Sequence, residues 1–248
     1  MSELNGKVAI VTGAGRNIGR AIALALADAG AAVAVVVRSN KTEADAVVKE
    51  IEAKGGKALA LLADISDAKV VLVMADAVLK QFGRIDILIN NAALRREKSI
   101  EDMSYAEWRE VMDVTLDGAF HCVKACLPAL KKNGGAIINI GGLSAHIGSK
   151  HRAHVTAAKL GLVGFTRGLA HDLADDKITV NCVVPGAIDT PRAASAVKPA
   201  HHLTHGTITG ERGRPEDVAA MVRHLCGPAA RHITGQALHV SGGAYLGV

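Results

Sequence analysis

The chain has 248 residues, 49% of them hydrophobic and 21% charged, which is enough apolar chain for one large core and calls for no second domain. Its net charge of +5 is scattered over 29 basic and 24 acidic residues, and it carries only one Trp, two Tyr and three Phe. Without a basic run or aromatic stacking platforms it does not read as a nucleic-acid binder, and an anionic small molecule suits the surplus charge better. Cys122, Cys126, Cys182 and Cys226 all sit in apolar segments, with no signal peptide or membrane-length apolar run. A cytoplasmic protein with buried, reduced thiols is expected.

Lys7 to Ala29 reads as a buried strand, a glycine turn and a helix begun on that turn. Val8 to Val11 is a short apolar run, Thr12-Gly13-Ala14-Gly15-Arg16-Asn17-Ile18-Gly19 is the turn, and Ile18, Ile22 and Leu26 give a helical apolar face. Such a turn lets backbone N–H groups and the positive end of the helix dipole meet a pyrophosphate. The spacing of Gly13, Gly15 and Gly19 is one residue looser than the usual dinucleotide fingerprint.

Further apolar strands follow at Ala31–Val37, Lys57–Leu62, Ile85–Ile89, Ala136–Ile140 and Ile178–Val184. They are separated by helical segments at Thr42–Lys54, Asp67–Phe82, Ser104–Lys132 and about His151–Leu173, with Ser104 as an N-cap. Strands apolar on both faces that alternate with helices predict a doubly wound α/β fold with a covered parallel sheet. Residues 187–210 break this rhythm with Pro191, Pro199, Gly206 and Gly210, and a connection of that length is expected to be a lid or binding loop.

Several motifs in order resemble those of the short-chain dehydrogenase/reductase family. They are the glycine turn with Asn17 at its middle-glycine position, Asp64-Ile65, Asn90-Asn91-Ala92-Ala93, Pro185-Gly186 with Ile188 and Thr190, and Thr234 to Gly243. Asn tolerates left-handed backbone, so the turn is expected to survive the exchange. The resemblance covers nearly the whole chain and implies a single Rossmann domain over 1–248, with about seven strands in the order 3-2-1-4-5-6-7. It further implies pyrophosphate binding at Gly13, Gly15, Arg16, Asn17, Ile18 and Gly19, adenine contact by Asp64 and Ile65, and cofactor contacts by Asn91, Ala92 and Lys159. Pro185, Gly186, Ile188 and Thr190 would surround the nicotinamide carboxamide, and a homotetramer is implied through the long helices.

Where NAD-binding proteins of this architecture place an Asp or Glu after the second strand, this chain has Arg38-Ser39. With Arg16 nearby in the turn, NADP(H) is favoured over NAD(H), which stays possible.

The family's proton relay is a Tyr, the Lys four residues later, a Ser and an Asn. Lys159 matches the Lys, but Val155 stands at the Tyr position, Gly141-Gly142 stand where the Ser is expected, with Ser144 two residues late, and Thr115 stands for the Asn. What remains nearby in sequence is basic: Arg95, Arg96, His146, His151, Arg152 and His154. His151 is one helical turn from Val155 and would reach the vacated region if the helix already includes it; His154 points elsewhere. Candidate catalytic residues are therefore Lys159, His151, His154, Ser144 and Thr115, and candidate substrate-binding residues are Arg95, Arg96, His146 and Arg152. His201, His202 and His205 lack the patterns of known metal motifs, so no metal is expected. The reading is an NADP(H)-dependent oxidoreductase for a small anionic carbonyl or alcohol; the alternatives are a non-redox hydrolase, lyase or C–C bond-cleaving enzyme, or a silent nucleotide-binding subunit.

Overall fold

In the computed structural model, which describes residues 2–190 and 206–247, seven parallel strands form one sheet in the order β3-β2-β1-β4-β5-β6-β7. The strands are β1 (Val8–Thr12), β2 (Ala32–Val37), β3 (Ala58–Leu62), β4 (Ile87–Asn90), β5 (Gly135–Ile140), β6 (Ile178–Pro185) and β7 (Ala237–Val240). The helices are α1 (Asn17–Asp28), α2 (Lys41–Ala53), α3 (Ala68–Phe82), α4 (Tyr105–Met112), α5 (Gly118–Asn133), α6 (Ser144–Ile147), α7 (Ala153–Asp172) and α8 (Pro215–Cys226). α1, α2 and α8 cover one face through a core that includes Ile22, Leu26, Val47, Ile51 and Val222; α3, α5 and α7 cover the other through Val71, Val78, Cys122, Leu130 and Ala170. The doubly wound single domain expected from the strand pattern is what forms.

The strand order reverses between β1 and β4, and such a switch point opens a crevice at the carboxyl ends of the strands. The base of the same pair is pinned by Asp86, which is 1% exposed. Its carboxylate accepts from the Val8 N–H at 3.0 Å, Lys7 Nζ at 3.1 Å and Arg84 Nε at 2.7 Å. Burial alone would raise this carboxyl, but Arg84, the Val8 amide and Lys7 outweigh it and hold it below its usual range. The sign follows: the contribution is present above the ordinary carboxylate value and is lost as pH falls through the lower folded value. Asp86→Asn is expected to cost about 3 kcal/mol at pH 7, because it leaves two cations without their buried partner. Urea denaturation measures this, and an unchanged midpoint would contradict it.

Two expectations about helices are corrected. The stretch from Ser104 is not one helix: Ser104 does cap α4 in a capping box with Glu107, but a π-turn at Asp113–Asp117 separates α4 from α5. Helix α7 begins at Ala153, not at His151, whose φ of 59° is left-handed and incompatible with the helix. Cys122, Cys126 and Cys182 are buried and Cys226 is half-buried, all as free thiols. Residues 191–205, with His201, His202, His205 and most of the expected lid, lie outside the described residues.

Candidate active site

The turn after β1 is built from Gly13, with φ of 64°, and Asn17, with φ of 52°, so Asn17 adopts the left-handed backbone that its position requires. Gly19 brings α1 onto this turn: a β-carbon there would lie 2.2 Å from the Gly13 carbonyl oxygen. The loop after β4 is tied to the same place. Asn91 Nδ2 donates to the Thr12 carbonyl at 2.8 Å and to the Gly13 carbonyl at 3.1 Å, while Thr12 Oγ1 accepts from the Asn91 and Ala92 N–H groups. No side chain caps α1 and no acidic residue stands in its first turn, which leaves its N–H groups and dipole available to an anion. This cradle fits a dinucleotide pyrophosphate.

Beyond β2, Arg38 and Ser39 are exposed. Arg16 is 75% exposed and approaches Glu43 at 3.8 Å, a carboxylate that the sequence reading did not place here. Asp64 accepts from Ser66 Oγ at 2.7 Å and from the Ser66 N–H at 3.0 Å. The Ser66 hydroxyl hydrogen bond, opposed by partial burial and aided by the Ser66 amide and by Arg38, holds its carboxyl below the usual range. Asp64 and Arg38 therefore face a common region. Ile65 is buried against the Gly118 backbone. At the other end, Gly186 packs so tightly on Ser241 that a β-carbon would lie 2.6 Å from the Ser241 Cα, and Ile188 bridges to Gly213.

Lys159 lies between these two ends. It is 9% exposed, and Nζ donates to the Ile140 carbonyl at the end of β5 at 2.5 Å. Burial, aided by the Arg95 and Arg152 guanidiniums and opposed by Cys182, brings its ammonium down to about 8. α7 is held at this depth by a chain of buried amides: Asn90 Nδ2 donates to Asn139 Oδ1 at 2.9 Å, and Asn139 Nδ2 donates to Thr166 Oγ1 at 2.9 Å. Asn90 closes β4 and Asn139 interrupts the otherwise apolar β5.

Val155 packs with Val111 and Ala158, and Leu94 and Met112 lie against them. Gly142 opens onto space; the nearest heavy atom to its missing β-carbon is Lys159 Cγ at 3.9 Å. Thr115 falls within the π-turn, 3% exposed, with Oγ1 lacking a partner. The π-turn is packed against α7, since Gly161 meets Leu116 there. Ser144 opens α6.

The basic residues divide. Arg95 and Arg152 bear on Lys159. Arg96 instead pairs with Glu110 at 2.7 Å on the outer side of α4. His151 is exposed, ahead of α7, and lines a surface recess with Lys98, Glu101 and Thr156, so the helical reach assumed for it does not exist. His154 is 0% exposed with both ring nitrogens unpartnered, and burial together with Arg152 and Arg96, against Glu107, pushes its imidazole down. His146 meets His239 edge-on and lies tilted against Tyr245, at ring distances of 4.5 and 5.2 Å. That ring cluster draws on segments far apart in the chain. Among the described residues no group of His, Cys, Asp and Glu is arranged to hold a metal, and no helix is long and apolar enough to cross a membrane.

Comparison with known proteins agrees with this geometry. Residues 13–245 match the family described as Enoyl-(Acyl carrier protein) reductase. The chain is 41% identical to the 3-oxoacyl-[acyl-carrier-protein] reductase FabG of Staphylococcus aureus over 243 residues, 97% of this chain and 98% of that one. It is 38% identical to a dehydrogenase/reductase of Sinorhizobium meliloti, with a TM-score of 0.93 over 98% of this chain and 96% of the other. It is 37% identical to a short-chain dehydrogenase of Burkholderia cenocepacia solved in complex with NADP, with a TM-score of 0.91 over 98% and 99% of the two chains. With identities of this size over nearly its whole length, this chain belongs to the short-chain dehydrogenase/reductase family of oxidoreductases.

Proposed function

We propose that the protein is an NADP(H)-dependent oxidoreductase that interconverts a small anionic carbonyl compound and its alcohol at a non-standard site. The observation that carries this reading is the cationic setting of Lys159, with Arg95 and Arg152 acting on it, at the same sheet edge as the uncapped end of α1. A carboxylate substrate neutralises that setting and is oriented by the two guanidiniums. Gly13 to Gly19 receive the pyrophosphate; Asp64 and Ile65 flank the adenine; Asn91, Ala92 and Lys159 meet the nicotinamide-side ribose; and Pro185 to Thr190 surround the carboxamide. Bound NADP(H) supplies the hydride. Val155 serves as packing, and Thr115 and Ser144 supply hydroxyls for proton relay. The Burkholderia relative, solved with NADP, supports the cofactor assignment.

Arg38 and Arg16 supply the contacts to a 2′-phosphate, and no carboxylate directly follows β2 to bind a free ribose. Fluorescence titration is expected to give tighter binding of NADPH than of NADH, with Arg38→Asp reversing the order. Equal affinities in the unmodified protein would end the assignment.

A homotetramer in the cytoplasm completes the reading. Phe120 on α5 and Leu160 on α7 are each 48% exposed, and no neighbour lies near Gly164 or Gly168 on α7, which gives an apolar, low-relief helical surface suited to a second copy. Leu160→Glu is expected to lower the mass in light scattering from tetramer to a smaller species. A monomer mass for the unmodified protein at micromolar concentration would contradict this.

A further inference from the structure

We infer that the Lys159 ammonium is itself the proton donor to the carbonyl oxygen of the substrate, in place of the phenol that Val155 cannot supply. This rests on the reductase reading above. Lys159 is buried at the centre of the site, its stem facing the space left open by Gly142 and its ammonium held at the end of β5 by the Ile140 carbonyl.

The histidines are engaged elsewhere. His151 is exposed ahead of α7, His154 is sealed at 0% exposure, and the His146 ring packs against those of His239 and Tyr245. The Cys182 thiol, buried on β6 beneath Gly141, is pushed up to about 11. The charged and titratable groups bearing on Lys159 are Arg95 from the loop after β4, Arg152 from the start of α7, and Cys182 from β6. Two of the three are cations, and with burial they bring the ammonium into the range of a useful acid near neutral pH.

As hydride from NADPH reaches the carbonyl carbon, an Nζ–H bond of Lys159 breaks and an O–H bond forms on the oxygen. The alcohol leaves and Lys159 remains as a neutral amine. Water returns the proton. In the oxidation direction the neutral amine accepts the proton, so the two directions have opposite pH dependences: reduction falls above about pH 8 and oxidation rises.

The test uses the full chain in three forms: unmodified, Lys159→Arg and Lys159→Met. In protein carrying ¹³C at the lysine ε-carbons, the resonance absent from Lys159→Met is expected to titrate near 8; titration at the ordinary lysine value overturns the inference. The second arm follows NADPH-dependent reduction of a panel of 2-oxo and 3-oxo acids. Arginine keeps the positive charge but cannot release a proton, so kcat is expected to fall by about 10²–10⁴-fold. Reduction that survives Lys159→Arg with an unchanged pH profile overturns the inference alone, because a residue that only positions the cofactor is rescued by the conservative change. No reduction by the unmodified protein overturns the reductase reading, and the inference with it.

Discussion

Lys159→Met is expected to make the protein more stable while it abolishes turnover. A lysine whose ammonium is brought from 10.5 down to about 8 by burial and two guanidiniums is held charged at pH 7 at a cost of about 3 kcal/mol, at 1.36 kcal/mol per pKa unit. Methionine fills a similar volume without the charge and forgoes only the hydrogen bond to the Ile140 carbonyl, worth about 1 kcal/mol. The net gain is about 2 kcal/mol, or roughly 4–8 °C in melting temperature for a chain of this size. The pH dependence fixes the cause. Below pH 8 both folded and unfolded lysine are protonated and the full cost is present; between 8 and 10.5 the unfolded chain binds more protons than the folded one, so the stability of the unmodified protein rises towards that of the variant. A stability difference that shrinks over that window is the expected result. A variant less stable at pH 7, by an amount independent of pH, would show that Lys159 is a structural anchor rather than a strained functional group.

Gly19→Ala is expected to weaken NADPH binding by about 10- to 100-fold, at roughly 1.4 kcal/mol per tenfold. The added β-carbon would meet the Gly13 carbonyl oxygen at 2.2 Å and Asn91 Nδ2 at 2.6 Å. Because the first of these is backbone, either α1 withdraws from the turn or the turn opens, and overpacking of this kind costs about 1–3 kcal/mol. Both movements spoil the N–H cradle at the start of α1 and the Asn91 link to the loop after β4. Binding is measured by NADPH fluorescence. Unaltered affinity with a normal melting temperature would show that the pyrophosphate is not seated at this turn.

The sheet and its switch point were legible in the sequence because buried parallel strands write themselves as unbroken apolar runs, and because the residues of the β1–α1 turn are locally constrained. Asn17 illustrates this: its tolerance of positive φ is a property of the residue, and the turn forms around it. What could not be read depends on contacts between distant segments. The π-turn at Asp113–Asp117 lies inside a continuous helical pattern that does not mark one widened turn, yet it is what sets Thr115 apart from its neighbours. His151 looked helical by spacing, whereas its left-handed backbone ahead of α7 moves it to the surface. Arg96 and Arg95 are adjacent in sequence, but one pairs with Glu110 and the other bears on Lys159. The His146, His239 and Tyr245 cluster, and Glu43 beside Gly15, come together only through the fold.

On this reading a site without the phenol still reduces an anionic carbonyl with NADPH. The most direct measurement incubates the unmodified protein with NADPH and paired carbonyl compounds, each as the free acid and as its methyl ester, and compares NADPH consumed with alcohol formed by chromatography. One alcohol per NADPH is expected with the acids and much weaker saturation by the esters, since Arg95 and Arg152 would lose the group that they orient. Product formed without NADPH, or NADPH bound with no product from any acid, would contradict it.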